Sequence, residues 1–166
     1  WEAWSRVVNA SPCDWLPEAF VSELIGTATP GVLETSRTET ACAWKNADGT
    51  ALFTAAIVSF DSAANLSSER EAQVQETRNG QRFRQLHETA GTVTAILRTD
   101  RIKLMMFPNS DAETAVIVLS GHPVLNEPDD VRAIKVRRAE TFARELIRVR
   151  AAGYANSQQA GSWRYT

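Results

Sequence analysis

The chain has 166 residues, 43% of them hydrophobic, which is enough apolar material for one ordinary domain with its own core. Its 18 basic and 20 acidic side chains give a formal net charge of −2 and an isoelectric point near 5.8. That balance excludes the overall basic excess of a dedicated nucleic-acid binder.

The two cysteines each stand two residues ahead of a tryptophan, in Pro12-Cys13-Asp14-Trp15 and in Ala41-Cys42-Ala43-Trp44. One disulfide, and with it a protein working outside the reducing cytosol, is the leading reading; two buried free thiols are the alternative. Around the first cysteine, Asp14 to Ile25 reads as a short helix. Asp14 is available as a cap, Pro17 is tolerated in a first turn, Phe20, Val21, Leu24 and Ile25 form an apolar stripe, and Gly26 ends it. Trp1 and Trp4 precede it at helical spacing.

Strands are expected at Gly31 to Arg37, Glu39 to Lys45 and Ala51 to Phe60, the last two joined by the turn Asn46-Ala47-Asp48-Gly49. Ser68 with Glu71 reads as a capping box opening a polar helix through Val74, Phe83 and Leu86 toward His87, interrupted at Asn79-Gly80. Thr92 to Arg98, Arg101 to Phe107 and Thr114 to Ser120 then form a meander of strands. Asp129 and Asp130 open the longest helix, reaching about Arg150, with Val131, Phe142, Leu146 and Val149 on one face and Arg137, Arg144 and Arg148 on the other. The order helix-βββ-helix-βββ-helix with short connections predicts an α+β fold: a curved antiparallel sheet in two three-stranded halves, its helices packed on one face. Residues 1–152 make the domain and 153–166 a loose tail, from which Trp163 and Tyr165 stand out as aromatics with a reason to dock.

The Pro-Cys start, the proline-led helix ending Leu24-Ile25-Gly26 and the later Cys42-Ala43-Trp44 together resemble a family of small secreted actinobacterial lipoproteins of unknown function. The resemblance covers Ser11 to Phe60, with Trp15-Leu16-Pro17 standing where that family commonly has a leucine pair and a Thr-Pro helix start. It implies an extracytoplasmic location, a Cys13 to Cys42 bridge, and an α+β fold of the kind seen in small photosystem-associated and nuclear-import accessory proteins. It implies no reaction. A chain beginning at Trp1 leaves room for a removed upstream segment, a signal peptide or a lipid anchor among the options, while no apolar run here approaches the ~20 residues needed to span a bilayer.

No convergent catalytic set is legible. His87 and His122 lack metal-type spacing, so no metal site and no cofactor is expected. Ser120 beside His122 lacks a nucleophile elbow, and the acid pairs Asp111 with Glu113 and Asp129 with Asp130 read as caps. There is no phosphate-binding glycine loop.

Two groups of residues remain as binding candidates. Arg137, Arg144 and Arg148 make a basic stripe able to meet an anionic envelope component or an acidic protein face, against the plain alternative of a solvated helix surface. Trp15 and Trp44 either plug the core over the disulfide or line a cleft. The expectation is therefore a non-enzymatic exported or surface-anchored domain that binds a macromolecular partner or envelope component. A carrier of a small apolar ligand held between sheet and helices is the alternative, and a hydrolase whose carboxylates meet only in the fold is the third.

Overall fold

The computed structural model describes residues 2–27, 29–80, 83–88, 93–151 and 163–165, with backbone only at 2–3, 83–88 and 163–165. The chain runs α1 (Glu2–Val8), a 3-10 turn (Pro12–Asp14), α2 (Glu18–Ile25), β1 (Val32–Thr35), β2 (Glu39–Lys45), β3 (Ala51–Ser59) and α3 (Ala63–Asn79). Then follow β4 (Phe83–Glu88), β5 (Val93–Arg98), β6 (Lys103–Pro108), β7 (Thr114–Leu119), α4 (Asp129–Leu146), a π-helical turn (Ile147–Ala151) and β8 (Trp163–Tyr165). Among the described residues eight strands join one antiparallel sheet in the order β1-β2-β3-β7-β6-β5-β4-β8. The α+β class and the antiparallel sheet are as the sequence predicts.

The helices do not share one face. Strand residues alternate between two layers, as the period of a pleated strand requires. Leu104 and Met106 of β6 and Val116 and Val118 of β7 join Trp4, Val7, Trp15, Val21, Phe142 and Leu146 in the main core. Met105, Phe107, Ala115 and Ile117 point the other way, where Leu66 and Val74 of α3 cover them. This placement follows from connectivity, since α3 must carry the chain from β3, beside β7, across β7, β6 and β5 to reach β4.

Two boundaries also differ. The side chain of Ser62, not Ser68, caps α3, its Oγ accepting from the Asn65 backbone N–H at 3.1 Å. The helix then stops at Asn79, and the segment expected to continue it through Leu86 instead forms β4, antiparallel to β5, so the second half has four strands between α3 and α4. Trp163–Tyr165 of the expected tail pair with β4 as β8, and the tail's residues 153–162 and 166 lie outside the described residues.

α4 also settles at a different angle from the ideal wheel. Val136, Ala139, Phe142, Ala143 and Leu146 are buried, whereas Val131 and Val149 are 39% and 43% exposed. Val131 lies about a quarter-turn from the centre of that stripe. Val149, about five turns further on, shares that azimuth, and the π-helical turn there keeps Ile147 and Ala151 inward.

Cys13 and Cys42 are joined by a disulfide, with their Cα atoms 5.0 Å apart, and among the described residues no cysteine is free. The bridge ties the 3-10 turn to β2. Beside it, Trp44, Phe53 and Phe142 form a cluster with ring centroids 5.1 to 5.9 Å apart, tilted or edge-on as aromatic quadrupoles prefer. Among the described residues no helix is long and apolar enough to cross a membrane.

Candidate functional site

The basic stripe is divided by its surroundings. Arg137 and Arg144 border one groove of about 680 Å³ between α4 and the β5–β6 turn, together with Thr99, Asp129, Arg132, Val136, Glu140 and Thr141. Arg148 does not line it. Its guanidinium is occupied by Glu145 one turn back, and that hydrogen bond and charge raise its pKa further. Arg144 lies 3.5 Å from the nearly buried Glu140, the i,i+4 pairing that the helix spacing allows. Arg137 is exposed and has no carboxylate partner among the described residues. Arg132, which the sequence does not single out, completes the groove's cationic wall.

The turn that forms the opposite wall is itself cationic. Arg98 grips Asp100 through two hydrogen bonds of 3.2 and 2.9 Å. Burial, then the charges of Arg98 and Arg101, hold the Lys103 ammonium below its ordinary pKa, with Glu69 and Glu39 opposing them. Thr99 and Arg132 also border a second, open cleft of about 620 Å³ that runs to Arg101, Val124 and Leu125. Leu125 is 90% exposed at the tip of a tight loop. That loop is fixed by a hydrogen bond from Glu127 N to Val124 O and by Asn126 in the left-handed region at φ 59°. Glu127, buried behind the loop, accepts from Lys135 Nζ at 2.5 Å.

The tryptophans occupy the other end of α4. Trp15 is closed into the core and donates from Nε1 to Val7 O at 2.8 Å, and Trp4 likewise donates to Thr114 O at 3.0 Å. Trp44 is 5% exposed, yet its indole N–H meets no acceptor among the described residues. Edges of Trp15 and Trp44 do border a common cleft of about 520 Å³, whose wall also includes Cys13, Leu16, Pro17, Val21, Gly31, Val149 and Arg150. So Trp15 is core, and Trp44 is both core and cleft wall. Arg150 and Gly31 were invisible to sequence reasoning as site residues. One is an arginine among many, the other a glycine read as the first residue of a strand.

The remaining candidates stay apart. Ser120 is buried and no hydrogen bond links it to the exposed His122; the side chain of His87 lies outside those described. Asp129 and Asp130 sit in the first turn of α4, where the helix dipole favours them. The displaced carboxylates, Asp48 and Asp100, are both held low, the opposite of what a general acid needs. Among the described residues no group of three or more His, Cys, Asp or Glu could hold a metal ion.

No protein-family model, no curated protein and no solved structure matches this chain significantly.

Proposed function

We propose that this protein is a non-enzymatic extracytoplasmic domain, secreted or anchored at the cell surface in the manner of the small lipoproteins it resembles, that binds an anionic component of the envelope through the groove along α4. The observation that carries this reading is the convergence of Arg132, Arg137 and Arg144 with the hydroxyl-bearing Thr99 and Thr141 on one groove. Guanidinium forks with neighbouring hydroxyls suit phosphate or carboxylate oxygens, because charge-assisted hydrogen bonds to such groups are shorter and stronger than neutral ones. The uncompensated Arg137 and the cationic turn around Lys103 add to the same local potential, although the whole chain is slightly acidic. The disulfide is consistent with export.

Binding of the purified protein to phosphatidylglycerol vesicles and to soluble polyphosphate, each measured across a salt series, tests the proposal and separates a lipid headgroup from a free polymer. Saturable, salt-sensitive binding to either is expected. Arg137→Glu combined with Arg144→Glu should weaken it at least ~tenfold, whereas Arg148→Glu, outside the groove, should leave it close to wild type. Equal loss in both variants, or no binding to either probe, overturns the assignment of the groove.

A further inference from the structure

A second site, independent of the α4 groove, is built where α4 ends. Three separate observations meet in the cleft beside the disulfide.

The first is a donor at the cleft wall. Trp4 and Trp15 bury their indole N–H groups against backbone carbonyls. Trp44 makes no such bond among the described residues, and its Nε1 is not one of the buried polar atoms left without a partner. Its Nε1 lies against Gly31, where a Cβ would stand only 2.8 Å from it. Gly31 and Trp44 are both wall residues of the cleft, so the missing side chain leaves the indole N–H facing that space.

The second is a fixed cation without a counter-ion. Arg150 donates from Nε to Trp15 O at 3.0 Å and from Nη2 to Asp14 O at 2.5 Å, which holds its guanidinium rigidly at the wall. No carboxylate pairs with it among the described residues, although Asp14 and Glu18 both border the cleft. Those two acids are exposed to bulk water.

The third is the helix defect that puts it there. The chain there leaves regular α-helix: the π-helical turn from Ile147 to Ala151 keeps Ile147 and Ala151 inward and leaves Val149 and Arg150 at the cleft. Such turns cost regular helix geometry and recur at functional sites. The rest of the lining is largely apolar: Leu16, Pro17, Val21, Pro30 and the edge of Trp15. The volume, about 520 Å³, falls in the range of small-molecule sites.

We infer that this cleft binds a small monocarboxylate with an apolar body, its carboxylate taken by the Arg150 guanidinium and the Trp44 indole N–H and its body lying against Leu16, Pro17 and Val21, with Val149 at the rim. A neutral molecule of the same shape would leave the charge on Arg150 unused, and an ammonium would meet only the water-exposed Asp14 and Glu18.

The test follows the indole N–H resonance of Trp44, assigned through bonds, while the intact disulfide-bonded protein is titrated with hexanoate, benzoate, hexanamide and hexylamine. Saturable shifts of that resonance with the carboxylates, and at least ~tenfold weaker binding of the amide and the amine, are expected. Because Arg150 also holds two backbone carbonyls, the decisive variants are at rim positions that carry no such bond. Val149→Glu should abolish carboxylate binding without lowering the melting temperature, and Val149→Lys or Glu18→Gln should preserve or strengthen it. No shift of Trp44 with either acid, equal binding of hexanamide, or binding indifferent to Val149→Glu would each overturn the inference. These outcomes do not depend on the vesicle and polyphosphate results, which report on the opposite end of α4.

Discussion

Gly31 lies so close to Cys42 that a Cβ built on its backbone would stand 2.3 Å from the disulfide sulfur. The glycine is there for space, because the chain entering β1 passes against Cys42 Sγ and the Trp44 indole of the neighbouring β2. Gly31→Ala should therefore destabilise the fold by about 1–3 kcal/mol, the usual cost of overpacking. It should do so although alanine is no worse than glycine for the backbone. A denaturant melt checks this, with the disulfide verified by mass. A melt matching wild type would mean that β1 can shift away freely.

The bridge closes a loop with a sequence separation of 29 residues between Cys13 and Cys42. In the chain-entropy account, a loop of that size is worth about 3–4 kcal/mol through its restriction of the unfolded state. Cys13→Ala with Cys42→Ala should lower stability by that order while leaving a folded protein, since the main core is large. Far-ultraviolet circular dichroism and urea unfolding would measure it. Loss of all cooperative unfolding would show that the 3-10 turn depends entirely on the bridge.

Much of this architecture is readable from residue order, and the misreadings have identifiable causes. The hairpin at Asn46 to Gly49 is legible because the residues carry their own turn chemistry: Asn46 Oδ1 accepts from Asp48 and Thr50 N–H groups, and Gly49 takes φ +87°. The disulfide is legible because only two cysteines exist. β4 is misread because Phe83 and Leu86 are three residues apart, a helical spacing, and only pairing with β5 and β8 selects the extended form. The start of α3 is ambiguous between Ser62 and Ser68, both good caps followed by helix formers. The cleft at Trp44 is not legible at all. It depends on a π-helical turn and on contacts between Arg150 and Trp15, 135 positions apart, that no local pattern encodes.

Acid should weaken the hairpin that walls the α4 groove. Burial alone would raise the Asp100 carboxyl, but the Arg98 hydrogen bonds and charge, aided by Arg101, bring it below its ordinary value. Between that lowered value and the ordinary carboxylate value near 3.9, the unfolded chain binds more protons than the folded one. The contribution is thus complete above the ordinary value and disappears as pH falls through the folded one. Asp100→Asn should reduce stability at neutral pH and flatten the acid limb of the stability profile. Urea midpoints from neutral pH down to about pH 2 check this against wild type, and parallel acid limbs would count against it.

The loop carrying Leu125 is backed by a buried ion pair. Glu127 has a side chain only 4% exposed, paired to Lys135 at 2.5 Å and lying 3.9 Å from Arg132. Its second oxygen has no hydrogen bond among the described residues. Lys135→Met takes away the closer of the two cations and leaves only the more distant Arg132, which should cost about 2–3 kcal/mol. Removing both charges together, Glu127→Leu with Lys135→Met, should cost clearly less than the single change, because the desolvation penalty disappears with the carboxylate. The double-mutant cycle is read by urea unfolding and by amide hydrogen exchange at Val124 to Asn126, where the single variant should exchange fastest. If the double variant were as unstable as the single one, the pair would be holding the loop through geometry and not merely compensating a buried charge. The exposed Leu125 would then owe its fixed position to that ion pair, in line with a tip kept in water for contact with a surface.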